Sequence, residues 1–136
     1  MSAAGSQGSR ARALRRALYA AGFFNVLGAG LFAFPALGLG PLAGLPAEVP
    51  VVYRAFTALF VLLFGGAYVY LASQPKIQKP FVAFGAIGKT TAFVAAVVLW
   101  LGQDLSAFGV LLLGGDFAFA AFFAWCLVGI DASEAA

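Results

Sequence analysis

Four long apolar stretches, separated by short breaks, make up most of the chain. They run from Leu14 to Phe34, Val51 to Ala72, Phe81 to Leu101 and Leu105 to Ile130. A membrane-spanning helix needs about 20 predominantly apolar residues, and each stretch is long enough. The breaks differ in character. Pro35 stops the first stretch, and residues 36–50 carry Gly38, Gly40, Pro41, Gly44, Pro46 and Pro50, which interrupt helices. Leu37, Leu39, Leu42, Leu45 and Val49 keep that segment apolar, so it is expected to lie along the membrane interface. Residues 73–80 form a short basic turn around Pro75, Lys76, Lys79 and Pro80, and Gly102-Gln103-Asp104 forms a tight one. The pattern predicts an all-α, polytopic four-helix bundle over residues 14–130. A basic tail precedes it (residues 1–13) and a short tail follows it (residues 131–136).

The basic residues orient the spans. Arg10, Arg12, Arg15 and Arg16 precede or open the first stretch, and Lys76 and Lys79 lie in the turn between the second and third. The other connections hold no Lys or Arg, apart from Arg54 just inside the second span. Positive residues collect on the cytoplasmic side, so both termini are expected there. A basic segment followed by an apolar run also opens a signal peptide, but signal h-regions are only about 7–15 residues long. An uncleaved first helix is therefore expected. Tyr53 and Trp100 fall at the outer interface, and Tyr19, Tyr70 and Trp125 at the inner one, as aromatic belts require. Arg54 can snorkel to the outer surface, with Glu48 or Asp104 within reach as partners.

Composition narrows the chemistry. The 136 residues are 63% hydrophobic and 10% charged, far from the roughly 25% charged of a soluble domain. The net charge of +3 follows from topology, and no basic patch interleaved with exposed polar groups points to nucleic acid. Without histidine, the usual haem and copper sites and most zinc sites lack their ligand. The carboxylates have no metal-ligand spacing, and no phosphate loop or nucleophile elbow appears. Cys126, the single cysteine, reads as a small apolar packing residue. No catalytic set, metal or cofactor is expected.

Lys89 and Asp116 stand out because each sits deep in an apolar stretch, where a charge is costly and needs a partner or a task. At 1.5 Å per residue, Asn25 lies about 13 Å and Lys89 about 12 Å from the inner ends of their spans. Asp116 lies about 16 Å from the outer end of its own, leaving about 14 Å of a 30 Å core. The second span passes this level near Gly65, with Tyr68 about a turn closer to the cytoplasm. Small residues flank the polar ones. Asn25 shares a row with Ala17, Ala21, Ala29 and Ala33. Lys89 shares a face with Gly85, Ala92 and Ala96, with Gly88 beside it, and Asp116 shares one with Ala120 and Ala124. Such rows let helices approach closely, so the polar groups are expected to face other helices. Two readings follow: an ion pair locking two helices, with Asn25 and Tyr68 completing its hydrogen bonds, or a ligand-binding or proton-handling site made of Lys89, Asp116, Asn25 and Tyr68.

The assembled pattern is Asn25, Gly28 and Pro35, then Gly65, Tyr68, Ala72 and Pro75, then Gly85-x-x-Gly88-Lys89, then Asp116 with Phe122 and Phe123. It resembles a group of small bacterial four-helix membrane proteins and, loosely, the DoxX-like membrane proteins. That resemblance implies a multi-pass protein of the bacterial inner membrane and carries no activity with it. The expected function is non-enzymatic: an accessory subunit or small-ligand binder embedded in the lipid bilayer, partnered by a second copy or another membrane protein. The alternative is a small proton-coupled transporter working as a dimer. A membrane enzyme acting on lipids or quinones lacks a histidine or a carboxylate pair.

Overall fold

The computed structural model describes residues 3–130, with side chains from residue 8 onward. It is all-α, with five helices: α1 (Ala3–Ala33), α2 (Gly40–Ala43), α3 (Val51–Ser73), α4 (Lys79–Leu101) and α5 (Ala107–Val128). Among the described residues, α1, α3, α4 and α5 are long and apolar enough to cross a membrane. The architecture is that of a multi-pass membrane protein.

Helix boundaries follow local chemistry. α1 starts at Ala3, well before the apolar stretch, so the basic tail continues the first span as helix. Its alanines, arginines and glutamine are good helix formers, and proline is missing until position 35. α2 is a single turn inside the segment expected to be irregular. Pro41 opens it and Gly44, in the left-handed conformation at φ +79°, closes it. Pro50 precedes α3, and Gln74 is extended because Pro75 follows it. Ser106 caps α5 by accepting a hydrogen bond from the Gly109 amide at 3.0 Å. Residues 131–136, the expected C-terminal tail, lie outside the described residues.

The helices associate as two pairs. α1 packs along α3, and α4 packs along α5. The pairs meet mainly where α1 touches α5 and α2 touches α5, while α3 and α4 contact each other only locally, although they are consecutive. The α1–α3 contact depends on missing side chains. A Cβ on Gly65 would lie 3.1 Å from the Gly22 carbonyl oxygen and 3.0 Å from the Asn25 Cβ. Ala21, Asn25 and Ala29 are buried, whereas Ala17 and Ala33 are half-buried. The row therefore faces the bundle, as expected, and turns away at both ends. A helix rotates about 40° over every four residues beyond a full turn, so positions eight apart diverge by about 80°.

The two ends of the bundle differ. The end carrying the basic residues is filled by Leu14, Leu18, Leu71, Ile77, Val82, Phe123 and Cys126. Basic side chains seal it. Arg15 donates from Nη1 to the Ala72 carbonyl at 2.8 Å and to the Gln74 carbonyl, and from Nη2 to the Pro75 carbonyl at 2.8 Å. Lys79 donates to the carbonyl of Ile130, just past α5. Both place cations at helix C-termini, where the dipole favours them. These two residues thus have structural work that charge counting alone does not reveal. At the opposite end the α1–α3 connection folds over the bundle: the Ser106 hydroxyl donates to the Leu42 carbonyl at 2.6 Å, and the Ser106 amide donates to the Ala43 carbonyl at 3.1 Å.

Candidate functional site: a polar layer at the base of an apolar slot

Lys89 and Asp116 meet. Lys89 projects from the middle of α4 and its ammonium forms an ion pair with Asp116 Oδ1 on α5. It is the only ion pair among the described residues. Lys89 also donates to Asn25 Oδ1 on α1 at 2.9 Å. Asn25 in turn donates from Nδ2 to the Val61 carbonyl on α3 at 3.0 Å. Each end of the amide thus makes one hydrogen bond, and its orientation is fixed by the lysine on one side and a helix carbonyl on the other. Lys89 is 4% exposed, and the Asp116 side chain 14%.

Aromatic rings complete the lysine's surroundings. Its Nζ lies 5.0 Å from the centre of the Tyr68 ring, 5.5 Å from Phe119 and 5.6 Å from Phe24. A cation over ring faces at these distances is attracted by their quadrupoles, and most strongly where water is excluded. The rings pack on one another: Tyr68 and Phe123 have centroids 5.9 Å apart, Phe24 and Phe119 5.7 Å. Tyr68, Phe119 and Phe123 form an aromatic plug toward the basic end, and Phe24 packs against Phe119 while also lining the cavity described below.

Tyr68 acts through its ring. Its hydroxyl donates to the Gly85 carbonyl on α4 at 3.2 Å, so it does not complete the hydrogen bonding of the Lys89–Asp116 pair as the sequence suggested. Gly85 makes this approach feasible, since a Cβ there would lie 2.7 Å from the Tyr68 ring. Two other expectations are corrected. Ala124 and Gly88 are exposed, so the inward faces of α5 and α4 are narrower than the small-residue spacing implied. Arg54 makes no ion pair with Glu48 or Asp104, and its buried Nε has no hydrogen-bond partner among the described residues.

A cavity of about 460 Å³ begins at the polar layer and extends to the opposite end. Asn25, Lys89 and Asp116 form its polar base, with Tyr68 beside them. Its walls are apolar except at Thr57, and include Leu31, Val61, Ala92, Ala96, Leu99 and Leu112. Ala43 and Leu45 border its far end, with Leu105. From Asp116 to Leu105 the helical rise is about 16 Å, so the cavity is a slot more than a sphere. Phe60 and Phe64 of α3 and Gly88 and Ala95 of α4 line it and are also exposed. The slot thus reaches the outside of the bundle between α3 and α4, the neighbours that touch only locally.

Phe24, Phe119 and the slot were not singled out by sequence. Phe119 is three residues beyond Asp116, a spacing that puts two side chains on one helix face, and Phe24 adjoins Asn25. Among the described residues no group of acidic, cysteine or histidine side chains could hold a metal ion. Comparison with protein-family models, with curated proteins and with solved structures finds no match to the chain.

Proposed function

We propose that this is a non-enzymatic, multi-pass protein of the bacterial inner membrane that binds a small lipid-soluble ligand, with both termini in the cytoplasm. The observation that carries the reading is the slot itself: an apolar cavity of about 460 Å³ that ends on a charged and hydrogen-bonding layer. Small-molecule sites combine apolar walls with a few convergent polar groups, and occupy about 300–1,000 Å³. The opening between α3 and α4 faces where lipid would lie, so a membrane-dissolved molecule is the natural occupant. A likeness in size and span number to DoxX-like proteins agrees with this architecture and adds no activity.

Proton-coupled transport is less well supported. A carrier needs access to Asp116 from both sides, and the half beneath the polar layer is filled by Tyr68, Phe123, Leu18 and Leu14. The test is to extract the protein with surrounding lipid into polymer nanodiscs and analyse the bound molecules by mass spectrometry. The wild type should retain a species in stoichiometric amount, and Ala92→Trp, which places a large side chain in the slot, should lose it. Identical lipid profiles from two folded proteins would remove the binding reading.

A further inference from the structure

We propose that the slot selects an uncharged, chiefly hydrocarbon lipid whose head is a hydroxyl group, and that the hydroxyl donates to the second carboxylate oxygen of Asp116. The proposal rests on the binding reading above and adds to it the chemistry of the ligand.

Accounting for donors and acceptors at the base of the slot leads there. Asn25 spends one lone pair on Lys89 and one N–H on the Val61 carbonyl, and keeps a second N–H that any oxygen-bearing head can take. The Tyr68 hydroxyl is committed to Gly85. Lys89 has three N–H groups; Asp116 and Asn25 take two, and the rings of Tyr68, Phe24 and Phe119 surround the ammonium. Asp116 is different. One of its oxygens receives Lys89, and the other has no hydrogen-bond partner among the described residues, although the residue borders the slot. A carboxylate oxygen without a donor, on a residue that lines a mostly apolar cavity, calls for one.

The charge balance then selects among donors. Lys89 and Asp116 neutralise each other, so the base of the slot carries no net charge when both are ionised. An anionic head would bring a second negative charge against Asp116. An ammonium head would bring a second cation beside Lys89, in a region where charges are weakly screened. Ketones, esters and ethers only accept hydrogen bonds and would leave the free oxygen as it was. A hydroxyl donates without adding charge. Its own oxygen can still accept the third Lys89 N–H, so one small group can answer both the free Asp116 oxygen and the lysine's third N–H. The apolar walls and the opening between α3 and α4 suit a hydrocarbon body that enters from the bilayer.

The experiment uses the full chain in phosphatidylcholine nanodiscs and a saturated fatty alcohol carrying a diazirine in mid-chain as photo-crosslinking probe. Competitors of the same chain length are the unlabelled alcohol, its methyl ether, the fatty acid and the fatty amine. Crosslinks are expected on slot walls such as Val61, Ala92 and Ala96. The alcohol should compete about tenfold better than the methyl ether, which corresponds to one hydrogen bond to a charged group. Both charged analogues should also compete more weakly than the alcohol. In Asp116→Asn the difference between alcohol and ether should shrink to about threefold or less. The competition series on the wild type decides the question even where that variant folds poorly. Slot labelling competed equally by alcohol and ether would overturn the hydroxyl assignment and leave the binding reading intact. Stronger competition by the acid or the amine would overturn the charge argument. Labelling confined to outer residues such as Leu59 and Leu63, insensitive to every competitor, would overturn the binding reading itself.

Discussion

Removing the two charges singly and together offers the sharpest measure of the polar layer. Lys89→Met leaves Asp116 as a lone carboxylate beneath apolar walls. Asp116→Leu leaves Lys89, 4% exposed, with only Asn25 and three rings. Breaking a buried pair by removing one partner costs about 3–5 kcal/mol, because it strands the other charge. If the two sites were independent, the double variant would lose the sum, about 6–10 kcal/mol. The geometry gives a different answer. With both charges replaced by apolar groups of similar size, the main polar loss is the Lys89 bond to Asn25 Oδ1, and an orphaned buried acceptor costs about 1–3 kcal/mol. The double variant should therefore lie about 1–3 kcal/mol below wild type, and above either single variant. Adding Asn25→Leu should recover part of that remainder, since the Val61 carbonyl can remain bonded within its helix. The assay is reversible unfolding in mixed micelles, followed by the fluorescence of Trp100 and Trp125. Additive effects, with the double variant the least stable of the three, would refute direct pairing as the organising interaction of the layer.

Three further outcomes follow from the packing and topology. Ala21→Leu or Gly65→Val should separate α1 from α3 and cost about 1–3 kcal/mol by overpacking, measured as a lowered midpoint of thermal unfolding; unchanged midpoints would mean that this face looks at lipid. Arg15→Ala should lower stability by about 1–2 kcal/mol in the same assay, and Arg15→Lys should restore less than half, because a point charge cannot reproduce the three carbonyl contacts of the guanidinium. Fusions of a periplasm-active reporter should be active after Gln103 and inactive after Gln78, and activity after Gln78 would reverse the proposed orientation.

The spans were legible in the sequence because each depends on local properties: length, apolarity and the prolines at 35, 50, 75 and 80. The meeting of Lys89, Asp116 and Asn25 was legible because depth along a helix is proportional to residue number, and a buried charge needs a partner. The partnership of Tyr68 was only half legible. Its depth put the ring beside the lysine, but the direction of its hydroxyl depends on how closely α4 approaches, which Gly85 decides. Small-residue rows misled at Ala124, eight residues from Asp116 and so about 80° around the helix. The slot was not legible at all. Its volume arises from the separation of two helix pairs, and pairing among four apolar helices leaves no periodic signal in any one of them.

The position of the polar layer and the unequal filling of the two halves have a common physical explanation. On the basic side of the layer the interior is supplied with large side chains, including Leu14, Leu18, Leu71, Ile77 and Phe123. On the other side many inward positions carry small ones: Gly28, Ala92, Ala96 and Gly109. In water, such a half would be drawn together by the hydrophobic effect. In a bilayer that force is missing, because lipid tails are as apolar as leucine, and helices stay together through packing and polar contacts. α3 and α4 can therefore separate along most of their length at little cost, provided another interaction joins the pairs. The polar layer supplies it: Lys89 of α4 binds Asp116 of α5 and Asn25 of α1, and Asn25 binds α3. One lysine and one asparagine thus link all four spans across the gap between the pairs. The same link that permits an apolar slot above it also gives that slot its only charged surface among the described residues, which is why a structural role and the proposed ligand-binding role need not compete for Lys89 and Asp116.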